Sequence, residues 1–265
     1  MQSMNKIQRP SVAGMFYPAD PGQLGAEIRE MLREADAEGG SQPKALIAPH
    51  AGYVYSGPVA ASAYARLLPQ AKTISRVLVL APSHRVPFSG LATSSADLFS
   101  TPLGNVVVDR GAVEQALELP QVQTYDRAFA GEHALEVHLP FLQVVLEDFR
   151  LVPFIVGDAP AEDVAQVMDL LWGGEETLIV VSSDLSHFLD YASARQRDQA
   201  TTRAIEMLTP ERIDYQDACG RTPLNGLLLA AREHGLHSHT VDLRNSGDTA
   251  GDKSRVVGYG AYVFS

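Results

Sequence analysis

The sequence has almost no cysteine, no long hydrophobic run and no cluster of basic residues. Cys219 is the only cysteine among the 265 residues, so an intramolecular disulfide framework is excluded. No segment approaches the roughly 20 apolar residues that cross a bilayer, and we therefore expect no membrane as a partner. The net charge is -11 and lysine and arginine are scattered along the chain, which disfavours a nucleic acid as a partner.

Sequence motifs for nucleotide cofactors and for serine hydrolases are also missing. Neither Gly-x-Gly-x-x-Gly nor a Walker-type Gly-Lys-Ser occurs, so we expect no nucleotide cofactor. Gly-x-Ser-x-Gly is absent as well, which argues against a Ser-His-Asp hydrolase. The segment from Met1 to Pro10 is polar and lacks the apolar core of a secretory signal, which together with the lone thiol favours a cytoplasmic protein.

Short apolar runs that end in a histidine recur along the sequence. The histidines that follow these runs are His50, His84 and His187. Runs of this kind are typical of strands that are buried on both faces of a parallel sheet. Because helical segments alternate with them, the sequence predicts an α/β fold, in which a single domain over residues 1–265 has a mainly parallel central sheet flanked by helices.

These three histidines are expected to converge in one crevice, because ligands bind beyond the carboxyl ends of the strands in an open parallel sheet. Convergent neutral imidazoles are ligands that divalent transition metals prefer. A single histidine in this position more often has a structural role, and it is the recurrence that favours a shared site. Asp184 lies three residues before His187 and is suited either to orienting an imidazole or to capping the element that follows.

The segment from Gly131 to Pro140 contains two further histidines and two glutamates. On a helix, Glu132, Glu136 and His133 would share one face. The pattern is similar to that of zinc proteases, but His138 follows His133 by five residues instead of four, which disfavours a protease. A charged helix start, with glutamate near the positive end of the helix dipole, is the alternative.

Cys219 lies in a predicted turn directly before a helix. A helix amino terminus lowers the pKa of a thiol, which would make Cys219 available for nucleophilic attack or for metal ligation. The alternative is an inert buried cysteine.

Five motifs occur in order along the chain: Ala48-Pro-His-Ala-Gly-Tyr53, Ala81-Pro-Ser-His84, Glu132-His-Ala-Leu-Glu-Val-His-Leu-Pro140, Ser182-Ser-Asp-Leu-Ser-His187 and Cys219-Gly-Arg-Thr-Pro223. Together they resemble the Memo family, whose prokaryotic members are called AmmeMemoRadiSam system protein B. The resemblance extends from about Arg9 to the carboxyl terminus. It implies a fold like that of the class III, LigB-type extradiol dioxygenases, which use non-haem Fe(II).

The resemblance also implies which residues form the site. His50 and His84 match the two histidine ligands of those dioxygenases, and His187 matches their acid/base histidine. Cys219 stands where the dioxygenases have a carboxylate ligand, which gives a site of two histidines and one cysteine at the carboxyl edge of the sheet. A thiolate is softer than a carboxylate and favours copper, zinc or thiolate-bound iron, so ring-cleaving dioxygenase activity is not expected.

We therefore expect a metal-binding, redox-active protein that holds Fe(II) or Cu, with Zn as a further option, while its status as an enzyme stays open. Asp184 would orient His187 for proton transfer to a small molecule or a peptide in the crevice. The other residues predicted to line the crevice are Tyr53, His133, Glu136, His138 and Arg221. One alternative is a non-catalytic protein that binds a peptide or a small anion, and another is a partner of a radical-SAM enzyme. The resemblance also implies a signalling role with phosphotyrosine peptides in eukaryotic members.

Overall fold

Strands and helices alternate along most of the chain in the computed structural model, which describes residues 5–35 and 42–265. The strands in these residues are β1 (Ile7–Gln8), β2 (Ala45–Ala48), β3 (Arg76–Pro82), β4 (Leu91–Thr93), β5 (Leu98–Thr101), β6 (Gly104–Val108), β7 (Val122–Thr124), β8 (Arg150–Val156), β9 (Thr177–Ser182), β10 (His187–Leu189), β11 (Ser238–Asn245) and β12 (Val256–Phe264). The α-helices are α1 (Pro21–Glu34), α2 (Tyr53–Tyr64), α3 (Arg110–Ala116), α4 (His138–Val145), α5 (Ala161–Leu170), α6 (Tyr191–Glu206), α7 (Arg221–Glu233) and α8 (Ser246–Thr249). Short 3-10 helices occupy Ala65–Gln70, Asp126–Phe129 and Pro210–Arg212. None of the helices in the described residues is both long enough and apolar enough to span a bilayer.

The strands form one sheet, in which a parallel centre is extended by antiparallel strands. The order is β1-β5-β6-β8-β3-β9-β2-β12-β10, while β11 pairs with β12 and β4 joins β7 to β8. From β6 through β8, β3 and β9 to β2, every neighbouring pair is parallel, and β12 is antiparallel to β2. Helices α2, α6 and α7 pack against this sheet. The predicted α/β fold with a mainly parallel sheet flanked by helices is confirmed. That one domain extends over residues 1–265 stays a prediction, because residues 1–4 and 36–41 lie outside the described residues.

The central strands are buried on both faces, which explains why their sequences are apolar without alternation. Every residue of β2 and β9 is buried, and in β3 only Arg76 is partly exposed. Because β2, β3 and β9 are parallel neighbours, their carboxyl ends lie at one edge of the sheet. The functional side chains described below follow these three ends.

The segment from Gly131 to Val137 is a loop with turns, and helix α4 begins only at His138, so Glu132, His133 and Glu136 do not share a helical face. Glu132 holds the loop by accepting hydrogen bonds from the backbone N–H groups of His133 and Ala134. Pro140 fits the first turn of α4, where its missing N–H costs no hydrogen bond, whereas it would interrupt a helix that began at Gly131. The position of this proline was the signal in the sequence for the later start.

A Gly226→Ala substitution is expected to lower the free energy of unfolding by about 1–3 kcal/mol through overpacking. Gly226 lies in α7, where a Cβ would come within 2.5 Å of Val164 Cγ1 on α5 and 3.2 Å of the Ala161 carbonyl oxygen. Gly111→Ala in α3 is the matched control, because the nearest atom to a Cβ there is 3.6 Å away. Chemical denaturation should find the control unchanged or slightly stabilised; equal stability of both variants would contradict this close approach of α5 and α7.

Candidate metal centre

Three imidazoles meet at the carboxyl edge of the sheet. His50 follows β2, His84 follows β3, and His133 lies in the loop before α4. One ligand atom from each residue lies within 4.8 Å of the other two. The ring centroid of His84 is 5.0 Å from that of His50 and 5.1 Å from that of His133. The structure thus brings together two of the predicted strand-end histidines, and the third ring of the group is His133, which the sequence placed only on the crevice wall.

Ser182, at the end of β9, holds the buried ring of His50 in one orientation. Its hydroxyl donates to the Ala134 carbonyl oxygen at 2.6 Å, so it accepts the hydrogen of His50 Nδ1 across 2.7 Å. The lone pair of the ring is then on Nε2, where a metal would bind. Burial, reinforced by the neighbouring imidazoles, lowers the pKa of His50 well below its ordinary value, so the ring is neutral near pH 7.

The buried carboxylate of Glu132 connects His84 with His133. Its Oε2 accepts the backbone N–H of His84 at 2.7 Å, and its Oε1 lies 3.0 Å from His84 Nδ1. Oε1 also accepts the N–H of His133 at 2.9 Å. Burial alone would raise the pKa of Glu132, but the hydrogen bonds from His84 and Ala134 hold it below its ordinary value. Because an ionised carboxylate only accepts, the hydrogen is on His84 Nδ1, and Nε2 is the atom available to a metal.

Cys219 lies beside this group, directly before α7. Its Sγ is 3.3 Å from His50 Nε2. Gly220 allows the close approach of α7 to β9, because its N–H donates to Ser183 Oγ at 3.0 Å and a Cβ would lie 2.3 Å from the Ser182 carbonyl oxygen. The predicted role of Cys219 as a metal ligand stays a prediction.

The thiol of Cys219 does not have the lowered pKa that its place before a helix suggested. Burial, with a contribution from the negative charge of Asp184, raises the pKa of the thiol. Removal from water penalises the thiolate more than the start of α7 stabilises it. Cys219 is therefore protonated near neutral pH, and ligation of a metal would require the loss of that proton.

Asp184 positions the backbone of His50. Its Oδ1 accepts the His50 N–H at 2.8 Å, and burial raises the pKa of Asp184 to about 6. Asp184 was predicted to orient the ring of His187. The Nδ1 atom of this ring forms a hydrogen bond with the Leu185 carbonyl oxygen at 2.8 Å. A backbone oxygen of its own strand connection thus holds the ring of His187, while Asp184 hydrogen-bonds the backbone of His50 and interacts with His187 through charge. That Asp184 orients His187 for proton transfer stays a prediction.

Glu136, predicted to line the crevice, holds the amino-terminal segment instead. Its buried carboxylate accepts the backbone N–H groups of Ser11 and Val12 at 2.6 and 3.0 Å and the hydroxyl of Tyr17 at 2.5 Å. The ring of Phe16 in this segment lies 4.8 Å from that of His133, centroid to centroid. Within residues 5–35 and 42–265, the contact of Glu136 with the three clustered imidazoles thus runs through the segment that it holds.

Tyr53 and His138, which were predicted to line the crevice, are buried beside the three imidazoles. The Tyr53 hydroxyl donates to the Val137 carbonyl oxygen at 2.6 Å, and its ring lies 4.9 Å from that of Phe141. Nδ1 of His138 lies 2.8 Å from the Tyr64 hydroxyl, and burial lowers the pKa of His138 to about 3. Their partners belong to α2, α4 and the turn before α4, so both side chains hold these helices together.

A cavity of about 490 Å³ opens next to Cys219. It lies between the loop after β3, the carboxyl end of β8 and the start of α7. The residues that line it are Pro82, Ser83, Val86, Pro87, Phe88, Ser89, Val156, Gly157, Asp158, Tyr215, Cys219, Thr222 and Pro223. Arg221, predicted to line the crevice, is not among these lining residues, and its guanidinium carbon lies 3.8 Å from the centroid of the Tyr215 ring.

The donor set around the three rings fits a transition metal. Two of the imidazoles have Nδ1 engaged, His50 with a hydroxyl and His84 with a carboxylate, which is the usual arrangement behind a metal-bound histidine. Burial also lowers the pKa of His133, although Glu132 opposes that shift, so this ring favours its neutral, ligating form. A thiol in contact with one of the rings adds a soft donor.

Curated proteins from archaea and bacteria are similar to this chain over nearly its whole length. A MEMO1 family protein of Aquifex aeolicus is 33% identical over 271 residues, which cover 98% of this chain and 99% of the relative. A MEMO1 family protein of Methanopyrus kandleri is 34% identical, and the match covers 96% of this chain and 98% of the relative. One of Aeropyrum pernix is 35% identical, with 97% of this chain and 99% of the relative covered.

The fold is also similar to a solved structure of low sequence identity. The crystal structure of an uncharacterized protein from Escherichia coli K12 superposes with a TM-score of 0.53 at 11% identity, covering 84% of this chain and 100% of that one. The profile described as "Memo-like protein" matches residues 8–263. The predicted relation to LigB-type dioxygenases is consistent with the fold. The chain belongs to the Memo family.

Proposed function

We propose that the protein binds one Fe or Cu ion through His50, His84 and Cys219, with His133 as a further imidazole donor, and that this centre is redox-active. The observation that supports the proposal is the convergence of three imidazoles with ligand atoms within 4.8 Å of one another. Imidazole and thiolate donors suit copper, iron and zinc, whereas Mg²⁺ and Ca²⁺ prefer sites rich in carboxylates. A bound Fe or Cu ion would supply one-electron chemistry at this edge of the sheet.

His187 is proposed as the proton donor or acceptor beside the centre. Its Nδ1 lies 2.8 Å from a backbone carbonyl oxygen, which only accepts, so Nδ1 carries the hydrogen. Nε2 is then the ring atom that exchanges a proton with a small molecule in the adjacent space. Asp184 supports this chemistry indirectly by fixing the backbone at His50.

A Cys219→Ser variant is expected to lose most of the metal that the wild-type protein retains, a decrease in affinity of about tenfold or more, because a hydroxyl replaces the soft thiolate donor. Both proteins should be purified without an affinity tag or chelator, and their Fe, Cu and Zn contents measured by mass spectrometry. The wild type should contain near-stoichiometric Fe or Cu and show a thiolate-to-metal charge-transfer band that the variant lacks. Unchanged metal content and spectrum in the variant would contradict ligation by the thiol and leave His133 as the third donor.

A second candidate function is non-catalytic binding of a small anion or peptide in the cavity. The observation that favours it is the raised pKa of the Cys219 thiol, which keeps the thiol protonated near neutral pH, next to a cavity of about 490 Å³. A protein that contains no Fe or Cu even after anaerobic reconstitution would support this candidate over the first. A radical-SAM partner, suggested by the prokaryotic family name, is a further proposal, which native co-purification tests. A cytoplasmic location, favoured by the lone thiol, is another, which cell fractionation tests.

A further inference from the structure

His187 stands directly before a residue with a strained backbone. Phe188 has a φ of 61°, in the left-handed region that bulky side chains rarely occupy. The register of β10 against β12 shifts at this point, between His187 and Leu189. The Phe188 side chain is 60% exposed, so burial of its ring does not hold the strained conformation. Strain of this kind persists only where surrounding contacts impose it, and the contacts here are those of the backbone beside His187.

The connection that leads into β10 is held from β12 and from α6. The N–H of Leu185 donates to the Gly258 carbonyl oxygen, and the N–H of Gly258 donates to the Ser186 carbonyl oxygen, each at 2.8 Å. The N–H of Ser186 donates to Oδ1 of Asp198 in α6 at 3.0 Å. Because the ring of His187 bonds the Leu185 carbonyl oxygen, the bonds that fix this connection also fix the ring.

Asp198 is a buried carboxylate for which the fold leaves room. It is 2% exposed, and a Cβ at position 258 of β12 would collide with both of its oxygens, so the glycine there provides the space. Burial of a carboxylate is costly unless its charge and its hydrogen bonds are used. Burial raises the pKa of Asp198, while hydrogen bonding from Ser186 and the charge of His187 oppose that rise. The carboxylate and the imidazole therefore favour each other's charged forms.

The charged and titratable groups around His187 come from several elements. They are Asp184 in its own connection, Asp198 on α6, His50 after β2 and Arg255 before β12. Oδ1 of Asp184 accepts the backbone N–H of His50, and the guanidinium of Arg255 lies over the ring of the residue after His187. Of the two carboxylates, Asp198 is thus the one whose hydrogen bond holds the connection next to His187.

We infer that Asp198 is the positioning residue of His187: its hydrogen bond with Ser186 fixes the connection that orients the imidazole, and its negative charge favours the protonated ring. The inference rests on the proposed function, in which His187 exchanges a proton with a small molecule beside the metal centre. Asp198 acts on that exchange only through the backbone of Ser186 and through charge. A carboxylate from α6 thus serves the histidine that precedes it in the chain.

The test follows the ring of His187 by nuclear magnetic resonance in the full-length protein, after metal removal and again with added Zn. His187→Gln identifies the signals of this ring. Asp198→Asn keeps an acceptor oxygen for Ser186 and removes the charge, so the ring should bind its proton about fivefold or more weakly and titrate at lower pH. Glu206→Gln is the matched control, because it removes an exposed negative charge from the same helix and should leave the titration of His187 unchanged.

Asp198→Ala removes the hydrogen bond together with the charge. The ¹⁵N shifts of His187 distinguish the two neutral tautomers of the ring, and in Asp198→Ala they should show a mixture of both. Asp198→Asn should restore the single form with the hydrogen on Nδ1, which a loss of general stability would not explain. An Asp198→Ala protein that does not fold would leave the decision to the titration of His187 in Asp198→Asn.

A titration of His187 that is the same in Asp198→Asn as in the wild type would overturn the inference, and so would a single tautomer in a folded Asp198→Ala protein. The metal content of the same samples tests the proposed function separately. Full metal content without these changes in His187 would overturn the role of Asp198 and leave the metal centre intact. The expected changes in a protein that binds no metal would support the role of Asp198 and count against the metal centre alone.

Discussion

A His50→Ala/His84→Ala double variant is expected to bind Fe or Cu at least about 10⁴-fold more weakly than the wild-type protein. Structural metal sites with four protein ligands bind with on the order of 10–16 kcal/mol, so one ligand contributes on the order of 3 kcal/mol, or about 100-fold. Both rings have Nε2 available for the metal, and the two residues that would remain, Cys219 and His133, do not form a complete site. Competition with a chelator of known affinity measures the effect.

The matched control for this variant is His187→Gln. His187 follows the third of the strand-end runs, but its Nδ1 bonds the Leu185 carbonyl oxygen and its ring is not part of the group of three. The control should keep its metal, and circular dichroism should show that all variants fold. A double variant that still retains one metal per chain would refute the assignment of His50 and His84 as ligands.

A Glu132→Gln substitution is expected to lower the metal affinity by about 10–100-fold without removing any ligand. The Glu132 carboxylate accepts hydrogen bonds from the backbone and ring of His84 and from the backbone of His133. A glutamine of the same shape puts an amide N–H₂ against at least one of these donors, so the rings of His84 and His133 lose their fixed positions. Metal titration of the purified variant measures the loss.

Glu136→Gln is the matched control, because Glu136 is an equally buried carboxylate four residues later that accepts from three donors. None of these donors is a histidine, and a glutamine keeps one acceptor oxygen for the segment that it holds. Both variants should lose about 1–3 kcal/mol of unfolding free energy in the metal-free state, since each leaves buried donors without an acceptor. Because Glu136 reaches His133 through the packing of Phe16, a smaller loss of metal affinity is expected in Glu136→Gln than in Glu132→Gln. Equal losses in the two variants would contradict a specific role of Glu132 in positioning the rings.

The parallel sheet and two of the three clustered rings were predictable because they depend on the local pattern of the chain. A buried parallel strand is apolar throughout, and the residue after its carboxyl end lies at the ligand-binding edge whatever the neighbouring strands are. His50 and His84 lie beside each other as predicted, with ring centroids 5.0 Å apart. His187 begins β10, and its ring bonds the carbonyl oxygen of Leu185 just before that strand, a contact that the local pattern after β9 does not indicate.

The rest of the site depends on contacts between residues far apart in the sequence. His133 joins the two strand-end histidines because Glu132 binds the backbone after β3, 48 residues away, and no periodicity in the segment indicates this contact. In the same way, Glu136 and Tyr53 have partners in the amino-terminal segment and before α4, which only the folded chain brings near. The pKa of Cys219 was predicted from a helix terminus, whereas burial, a property of the whole fold, determines it.

The attachment of the amino-terminal segment to Glu136 has a practical consequence for anyone who produces this protein. Ser11, Val12 and Tyr17 bind Glu136, Phe16 packs against the ring of His133, and the Phe16 carbonyl oxygen accepts the N–H of Tyr53. Cloning schemes that trim this end, or fuse a bulky partner directly to it, are thus expected to change the packing of the His133 imidazole, one of the proposed metal donors. Expression vectors for this protein should therefore keep residues 8–17 intact. Loss of metal from a shortened protein would be explained by the altered packing of His133 and would not by itself identify the metal ligands.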